Sequence, residues 1–183
     1  MSLTTLTPDL CIIGGGTGGL VVAAGAVQMG ASVVLIERHR MGGDCLNTGC
    51  VPSKALIAAA GVAATMRGAA AFGIAPVEPD VDFAAVQDHV RGVIDAIAPH
   101  DSIERFERLG VRVLSAHAAF TSPDEVLAGQ FRIRARRFVI ATGSAPATPP
   151  VPGLAGTPHF TNETIFENRA RPEHLIVLGG GPI

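Results

Sequence analysis

The sequence predicts an α/β fold with a central parallel sheet and a small antiparallel β insertion. Two short apolar runs, 10–13 and 32–36, have the length of buried parallel strands. Between them, a glycine-rich turn leads into the alanine- and valine-rich segment 20–29, which is followed by Gly30 and is typical of a helix. Strand, turn, helix and strand in this order form a βαβ unit, from which parallel sheets are built.

The turn of this unit has the pattern G-x-G-x-x-G, with its key glycines at Gly14, Gly16 and Gly19. The first allows a tight turn, the second lets the backbone approach a pyrophosphate, and the third permits close packing of helix against sheet. The second strand closes on Glu37, where an acid accepts hydrogen bonds from an adenosine ribose. A turn that binds nothing would not need this acid. The unit therefore predicts a Rossmann-like dinucleotide-binding domain, and NAD and FAD both stay open at this point.

A second motif, residues 42–54, places Cys45 and Cys50 five positions apart. Gly49 can supply the irregular backbone that a bridge between them needs, and Pro52 suits the first turn of a helix. We therefore expect both cysteines at a helix N-terminus, whose partial positive charge stabilises a thiolate. We also expect Cys45, at the mouth of the turn, to be the thiol more accessible to substrate in the whole enzyme.

Lys54, the only lysine in the chain, lies four residues after Cys50 and so on the same helical face. Metal binding is a weaker alternative, because zinc sites usually bring four ligands and the third cysteine, Cys11, falls in a predicted strand. We predict no metal site. Two inert thiols stay open as an interpretation of the cysteines alone.

The middle of the chain is predicted to be mainly helical. Residues 54–67 are alanine-rich, and 81–108 carry apolar residues at a broadly helical period with a break at Pro99. We expect the second helical segment on the surface, with His89 and His100 solvated.

Strands follow in the sequence. One is predicted from Val111 to Phe120, and the runs 125–127 and 131–135 around a turn form the antiparallel insertion. A buried strand at 137–140 then ends in the small residues of 141–144, which allow a ligand to approach the backbone.

Prolines at 146–152 indicate an extended linker, and 161–166 a short turn or helix. Residues 175–183 repeat the pattern of 10–18, which predicts the start of a second dinucleotide fold. We accordingly divide the chain into a dinucleotide-binding domain, 1–150, and a segment, 151–183, that holds the linker and the first strand of a second, incomplete domain.

Composition narrows the classes of function. The 183 residues are 48% hydrophobic and 16% charged, enough to bury a sizeable core. A net charge of −2 with scattered arginines argues against a nucleic-acid partner. No uninterrupted apolar run approaches about 18 residues and residues 1–8 lack a leader pattern, so we expect no membrane partner and a cytoplasmic protein. In a reducing cytosol a cysteine pair is more often catalytic than structural.

The motif G-G-x-C-x-N-x-G-C-x-P-x-K, from Gly42 to Lys54, resembles that of the pyridine nucleotide–disulfide oxidoreductases, which are flavoenzymes. The resemblance continues through Gly14–Gly19, Glu37, Ala141–Ser144 and 175–183, and so spans nearly the whole chain. It implies that the dinucleotide is FAD. Asp44 departs from the threonine often found at its position in the family, whereas the other residues of the motif are unchanged.

The resemblance also implies roles for residues. Cys45 would exchange with substrate, Cys50 would lie against the flavin, and Lys54 would lie near its reactive nitrogen. The cofactor-binding residues implied by the motifs and the resemblance are Gly14, Gly16, Thr17, Gly18, Gly19, Glu37, Arg38, Gly42, Gly43, Asp44, Ala118, Ala141, Thr142, Gly143 and Ser144.

For function, the resemblance implies electron transfer between NAD(P)H, FAD and the cysteine pair, acting on a small or protein-bound disulfide or dithiol, or on mercuric ion. Ser53 looks more like lipoamide dehydrogenase and mercuric reductase than glutathione reductase, which is kept as an alternative. We expect a homodimer at full length, and this chain alone to be inactive and to hold FAD weakly. The alternative from another class is a non-catalytic FAD-binding module with a structural disulfide.

Overall fold

The structure, a computed structural model, describes residues 3–181. Its helices are α1 (Thr17–Gln28), α2 (Gly43–Asn47), α3 (Cys50–Gly68), α4 (Phe83–Ile97) and α5 (Ile103–Arg108). Its strands are β1 (Thr4–Leu6), β2 (Leu10–Ile13), β3 (Val33–Glu37), β4 (Val111–Ser115), β5 (Ala118–Ser122), β6 (Glu125–Ala128), β7 (Phe131–Ile133) and β8 (Arg137–Ile140).

The central sheet has the strand order β4-β3-β2-β8, and all of its neighbours are parallel. In register, Ile12 of β2 lies between Leu35 of β3 and Val139 of β8. The predicted parallel sheet and its first βαβ unit are confirmed. α1 extends three residues further toward the N-terminus than the 20–29 predicted, since Gly18 and Gly19 lie inside its first turn.

Alternate side chains of the central sheet enter two separate cores, because successive residues of a strand face opposite sides. On one face, Ile12 and Leu35 pack against Leu20 of α1 and Phe106 of α5. On the other face, the second sheet covers a cluster consisting of Cys11, Val34, Ile36, Leu114, Val126, Ala128 and Ile133. Burial raises the pKa of the Cys11 thiol to about 12, so this cysteine stays protonated within the core.

The second sheet has the order β1-β7-β6-β5, with β6 antiparallel to both neighbours. The antiparallel insertion is thus confirmed, but two details of the prediction are wrong. The single strand expected from Val111 to Phe120 is two strands in different sheets, because the chain leaves the central sheet at Ala116 and His117. Thr4–Leu6, for which no strand was predicted, pairs in parallel with β7.

The helical middle of the chain forms a layer in which α3 and α4 contact each other. α4 ends at Ile97, a 3₁₀ turn containing Pro99 follows at Ala98–Asp101, and α5 begins after Ser102. The predicted break is confirmed. The oxygen of the Ser102 side chain accepts a hydrogen bond from the Arg105 N–H, as expected of an N-cap. His89 and His100 are both exposed, as predicted.

The helical stretch Gly43–Phe72 is long and apolar enough, by length and composition, to cross a membrane. The sequence patterns predicted no membrane-spanning segment, so the structure differs from that prediction here. One helix of this length and composition is only weak support for a membrane span. The chain is irregular between α2 and α3, at Thr48 and Gly49, and charged side chains lie at Asp44 and Lys54. The absence of a membrane partner stays a prediction.

From Ala141 onward, the described residues form only two 3₁₀ turns, Leu154–Gly156 and Ile165–Glu167. The second of these agrees with the short turn predicted at 161–166. Residues 175–178 are exposed and join neither of the two sheets formed by residues 3–181. Pro182 and Ile183 lie outside the described residues. Because a strand forms only by pairing with a neighbouring strand, residues 175–178 are not a strand here, and the second dinucleotide fold stays a prediction.

A cluster at the amino ends of β2 and β3 joins Asp9, Ser32 and Arg136. Asp9 Oδ2 accepts hydrogen bonds from the Ser32 hydroxyl at 2.7 Å and the Ser32 N–H at 3.0 Å, and Oδ1 lies 3.1 Å from Arg136 Nη1. These bonds, led by that from the Ser32 hydroxyl, lower the pKa of Asp9 to about 2.

This lowered pKa predicts a pH-dependent contribution to stability. Because the pKa of Asp9 is about 2 in the fold against its ordinary 3.8, the contribution is complete above pH 3.8 and is lost as the pH falls through 2. The substitution Asp9→Asn is therefore expected to lower the urea midpoint at pH 6 and to lower it much less at pH 2. A deficit of equal size at both pH values would contradict this assignment.

Candidate functional site

A cavity of about 1070 Å³ opens at the carboxyl ends of the central strands. In parallel sheets with helical crossovers, ligands bind at this edge. The wall of the cavity includes the ends of β2 and β3, the N-terminus of α1, and the segments that follow β4 and β8. Its volume is at the upper end of ordinary ligand sites, so a dinucleotide-sized molecule fits the available space.

The glycine turn is shaped by close backbone contacts. Gly14 has φ +112°, and a Cβ there would lie 2.1 Å from the carbonyl oxygen of Ala141. A Cβ at Gly19 would lie 1.9 Å from the carbonyl oxygen of Gly14. Both glycines are therefore required by the fold itself: Gly14 brings the turn against the end of β8, and Gly19 brings α1 against the turn.

The glycine turn also contacts the cysteine motif. The Gly42 N–H donates to the Gly15 carbonyl at 2.9 Å, and Gly16 forms an isolated bridge with Gly42. Gly43 has φ +56°, and a Cβ there would lie 2.6 Å from Gly16 Cα. The two motifs, which are separate in the sequence, therefore form one continuous wall.

The Glu37 carboxylate links the glycine turn to the segment that follows β3. Its Oε2 accepts from the Gly15 N–H at 2.6 Å, and its Oε1 accepts from the His39 N–H at 2.7 Å. The side chain is half-buried on the cavity wall. Each carboxylate oxygen can accept a further bond, so Glu37 can hold the turn and still bind a hydroxyl donor of a ligand.

The cysteines occupy two different helices. Cys50 is the first residue of α3, whereas Cys45 is the third residue of the short helix α2. The prediction that both lie at one helix N-terminus is therefore wrong for Cys45, because the irregular residues Thr48 and Gly49 separate the helices. Both cysteines are free thiols. In this chain Cys50 is exposed and Cys45 is half-buried, where α2 contacts α1. The accessibility of Cys45 to substrate in the whole enzyme stays a prediction.

The two thiols interact. The pKa of Cys45 is raised, chiefly because its thiol shares a hydrogen bond with the Cys50 side chain, and further by burial and by the negative charge of Cys50. A hydrogen bond with the Thr17 side chain and one with the Cys50 backbone act in the opposite direction. The raised pKa keeps the proton on the Cys45 thiol. Cys50, as the first residue of α3, lies at a helix N-terminus, where the partial positive charge favours an anion.

Most of the predicted site residues line the cavity. These are Gly14, Gly16, Thr17, Gly18, Glu37, Arg38, Gly43, Asp44, Cys45, Ala118, Ala141, Thr142, Gly143 and Ser144. Four predicted residues lie outside its described wall: Gly19, Gly42, Cys50 and Lys54. The first two shape the wall from behind, whereas Cys50 and Lys54 are exposed on α3. The roles assigned to individual residues stay predictions.

The structure adds residues that the sequence patterns did not identify. They are Ile13, Ile36, His39, Arg40, Asn47, Thr48, Ala116, His117, Ala145, Glu163 and Glu167. Most of them are neighbours of the motifs, and proximity to a motif could have identified them. Glu163 and Glu167 could not be identified in this way, because they belong to the late segment that returns to the cavity.

Asn47 and Thr48 illustrate two ways of contributing to the wall. The Asn47 amide donates to the carbonyl oxygens of Met41 at 3.1 Å and Gly43 at 2.8 Å, and so fixes the loop before α2. Thr48 Oγ1 is buried and has no hydrogen-bond partner among residues 3–181. A buried polar atom without a partner, in a residue that lines the cavity, fits a site that binds a ligand with polar groups.

The family model for pyridine nucleotide-disulphide oxidoreductases matches residues 8–183, nearly the entire chain. The chain belongs to this family. The parallel sheet and the glycine turn are thus the Rossmann-like domain that the sequence predicted.

Curated members of the family are similar over almost all of this chain. It is 37% identical to the mercuric reductase of Streptomyces lividans over 179 residues, 94% of this chain and 38% of that protein. It is 31% identical to the dihydrolipoyl dehydrogenase of Bacillus subtilis, over 96% of this chain and 40% of the relative. The chain therefore spans about two fifths of the length of these relatives.

Proposed function

We propose that the cavity binds FAD, and that this chain is the FAD-binding part of an enzyme that transfers electrons between NAD(P)H, FAD and the pair Cys45–Cys50. The observation that carries the proposal is the continuous wall formed by the glycine turn, Glu37 and the helix that holds Cys45. One end of this wall suits an adenosine diphosphate group. The other end presents a thiol that can exchange with disulfides.

Each part of the wall has a distinct role in this proposal. The N–H groups at the start of α1 bind the pyrophosphate, where the helix macrodipole favours an anion. Glu37 accepts from the ribose hydroxyls. FAD, when bound, supplies a carrier that accepts a hydride and exchanges electrons with thiols. The cysteine pair takes up two electrons and two protons on opening its disulfide, and the raised pKa of Cys45 keeps one of these protons on that sulfur.

The substrate class is proposed from the relatives. Similarity to a mercuric reductase and to a dihydrolipoyl dehydrogenase favours mercuric ion or a lipoamide-type dithiol as the partner of Cys45. A disulfide of the glutathione type is the alternative. We further propose, from the family resemblance, that the whole enzyme is a homodimer. We also propose that it is cytoplasmic, since a cysteine pair in a reducing compartment is more often redox-active than structural.

Titration with FAD and with ADP tests the binding site. The chain is expected to bind both saturably, and Glu37→Gln is expected to weaken both about 10-fold or more, because a hydrogen bond to a charged acceptor contributes about 1.5–3 kcal/mol. Flavin fluorescence measures FAD binding, and calorimetry measures ADP binding.

Glu173→Gln is the matched control, because Glu173 is exposed and lies outside the described cavity wall. It removes the same charge and should leave both affinities unchanged. Failure of the unsubstituted chain to bind either ligand saturably would refute the proposed site. Binding without any redox exchange between flavin and thiols in the whole enzyme would favour the non-catalytic module.

A further inference from the structure

Thr48 lies between the two cysteines, directly after α2. Its backbone N–H donates to the Asp44 carbonyl at 2.8 Å, which ends the helix and fixes the position of the side chain. The residue lines the cavity beside Cys45 and Asn47. The threonine is therefore held at the cysteine end of the site by a backbone contact that does not involve its hydroxyl.

The hydroxyl of Thr48 is buried yet makes no hydrogen bond within residues 3–181. A buried hydroxyl without a partner destabilises the fold, because it has given up its bonds to water. The Ser53 hydroxyl differs, because it donates to the Cys50 carbonyl at 3.2 Å. Among residues 3–181, Gln87 Oε1 and Arg132 Nε are also buried without a hydrogen bond, but neither residue lines the cavity.

A valine at this position would have nearly the same shape and would avoid the unpartnered group. The destabilisation caused by the buried Thr48 hydroxyl is therefore offset only if a group outside the described residues forms a hydrogen bond with it. Rotation about χ1 exchanges the methyl and hydroxyl positions between staggered rotamers, so the hydroxyl can turn toward the cavity without movement of the backbone. A hydroxyl both donates and accepts, and so suits a carbonyl, an N–H group or another hydroxyl.

We propose that the Thr48 hydroxyl hydrogen-bonds the part of the bound dinucleotide that lies at the cysteine end of the cavity, and so contributes to affinity for FAD but not for ADP. The inference rests on the proposed function, since it requires FAD in this cavity. It separates two ends of the site: Glu37 serves the adenosine end that FAD and ADP share, and Thr48 serves the end that only FAD reaches.

The test is Thr48→Val, measured by FAD titration, ADP titration and urea unfolding of the ligand-free chain. The substitution is expected to weaken FAD binding about 2- to 10-fold, the range that one neutral hydrogen bond provides. ADP affinity is expected to stay unchanged. The urea midpoint of the ligand-free chain is expected to rise or stay equal, because the unpartnered hydroxyl is gone.

Thr48→Ser is the matched control, because it keeps the hydroxyl and removes the methyl group, and it should retain the FAD affinity of the unsubstituted chain. Equal FAD affinity of the valine variant and the unsubstituted chain would overturn the inference. So would a parallel loss of ADP and FAD binding with a lower urea midpoint, which would indicate a structural role. If the unsubstituted chain bound neither ligand, the proposed function itself would fail.

Discussion

Replacing Gly19 with alanine is expected to destabilise the chain by about 3 kcal/mol or more and to abolish measurable FAD binding. The added Cβ would lie 1.9 Å from the Gly14 carbonyl oxygen and 3.3 Å from Ile12 Cγ2. The first of these contacts is with backbone, which cannot rotate away as a flexible side chain could. Relief requires α1 to move off the sheet, which would disturb the core around Leu20 and add to the usual cost of overpacking.

Gly25→Ala is the control for this experiment, because Gly25 lies in the same helix, is exposed, and has open space within 4 Å of the position that a methyl group would take. Alanine there is expected to stabilise the chain by about 0.5–1 kcal/mol through higher helix propensity. Urea denaturation measures both variants, and FAD titration at saturating concentration follows binding. A Gly19→Ala chain as stable as the Gly25→Ala chain would show that α1 does not pack this closely.

The order of the elements was predictable where local patterns and packing agree. The runs 10–13 and 138–140 are short and apolar, each follows a polar residue, and both lie in strands of the central sheet. The prediction that residues 137–140 form a buried strand is wrong, because β8 lies at the edge of the sheet and none of its residues is buried. β1 was not predictable in this way, because Thr4 and Thr5 are exposed and its pairing partner β7 begins only at Phe131. The division between β4 and β5 depends on the second sheet and has no local signal in Ala116 or His117.

The site was predictable to the extent that its chemistry belongs to contiguous motifs. Gly14, Glu37 and Cys45 meet on one wall because parallel strands bring their carboxyl ends to one edge. The sequence could not show that Cys45 would be less exposed than Cys50, because that depends on how α2 packs against α1. It also could not show that the Thr48 hydroxyl would lack a partner among residues 3–181, since burial and hydrogen bonding depend on the whole fold.

Cys45→Ser and Cys50→Ser are each expected to reduce disulfide-dependent turnover of the whole enzyme by on the order of 10³-fold or more, as removal of a covalent nucleophile does. The spectra of the two variants should differ. A thiolate at Cys50 can donate electron density to an oxidised flavin, so Cys45→Ser is expected to show a long-wavelength charge-transfer band without reductant. Cys50→Ser should lack the band.

Alkylation of the chain in the absence of substrate gives an independent readout of the same pair. Cys50 is the largest cause of the raised pKa of Cys45. Cys50→Ser should therefore lower that pKa and make Cys45 react faster with iodoacetamide near pH 8, because the thiolate is the nucleophile. Cys11 provides the internal control: with its pKa at about 12 and its side chain buried, it should not react in the folded chain.

The pH dependence of the band decides between the possible assignments. In Cys45→Ser the band should bleach as acid protonates the Cys50 thiolate, and the exposed Cys50 should become unreactive over the same pH range. A band present in Cys50→Ser and absent from Cys45→Ser would reverse the two roles, so that the half-buried thiol on the cavity wall would be the one that faces the flavin. If neither variant showed a band with FAD bound, the pair would not face a flavin, and its exchange chemistry would have to proceed without direct contact.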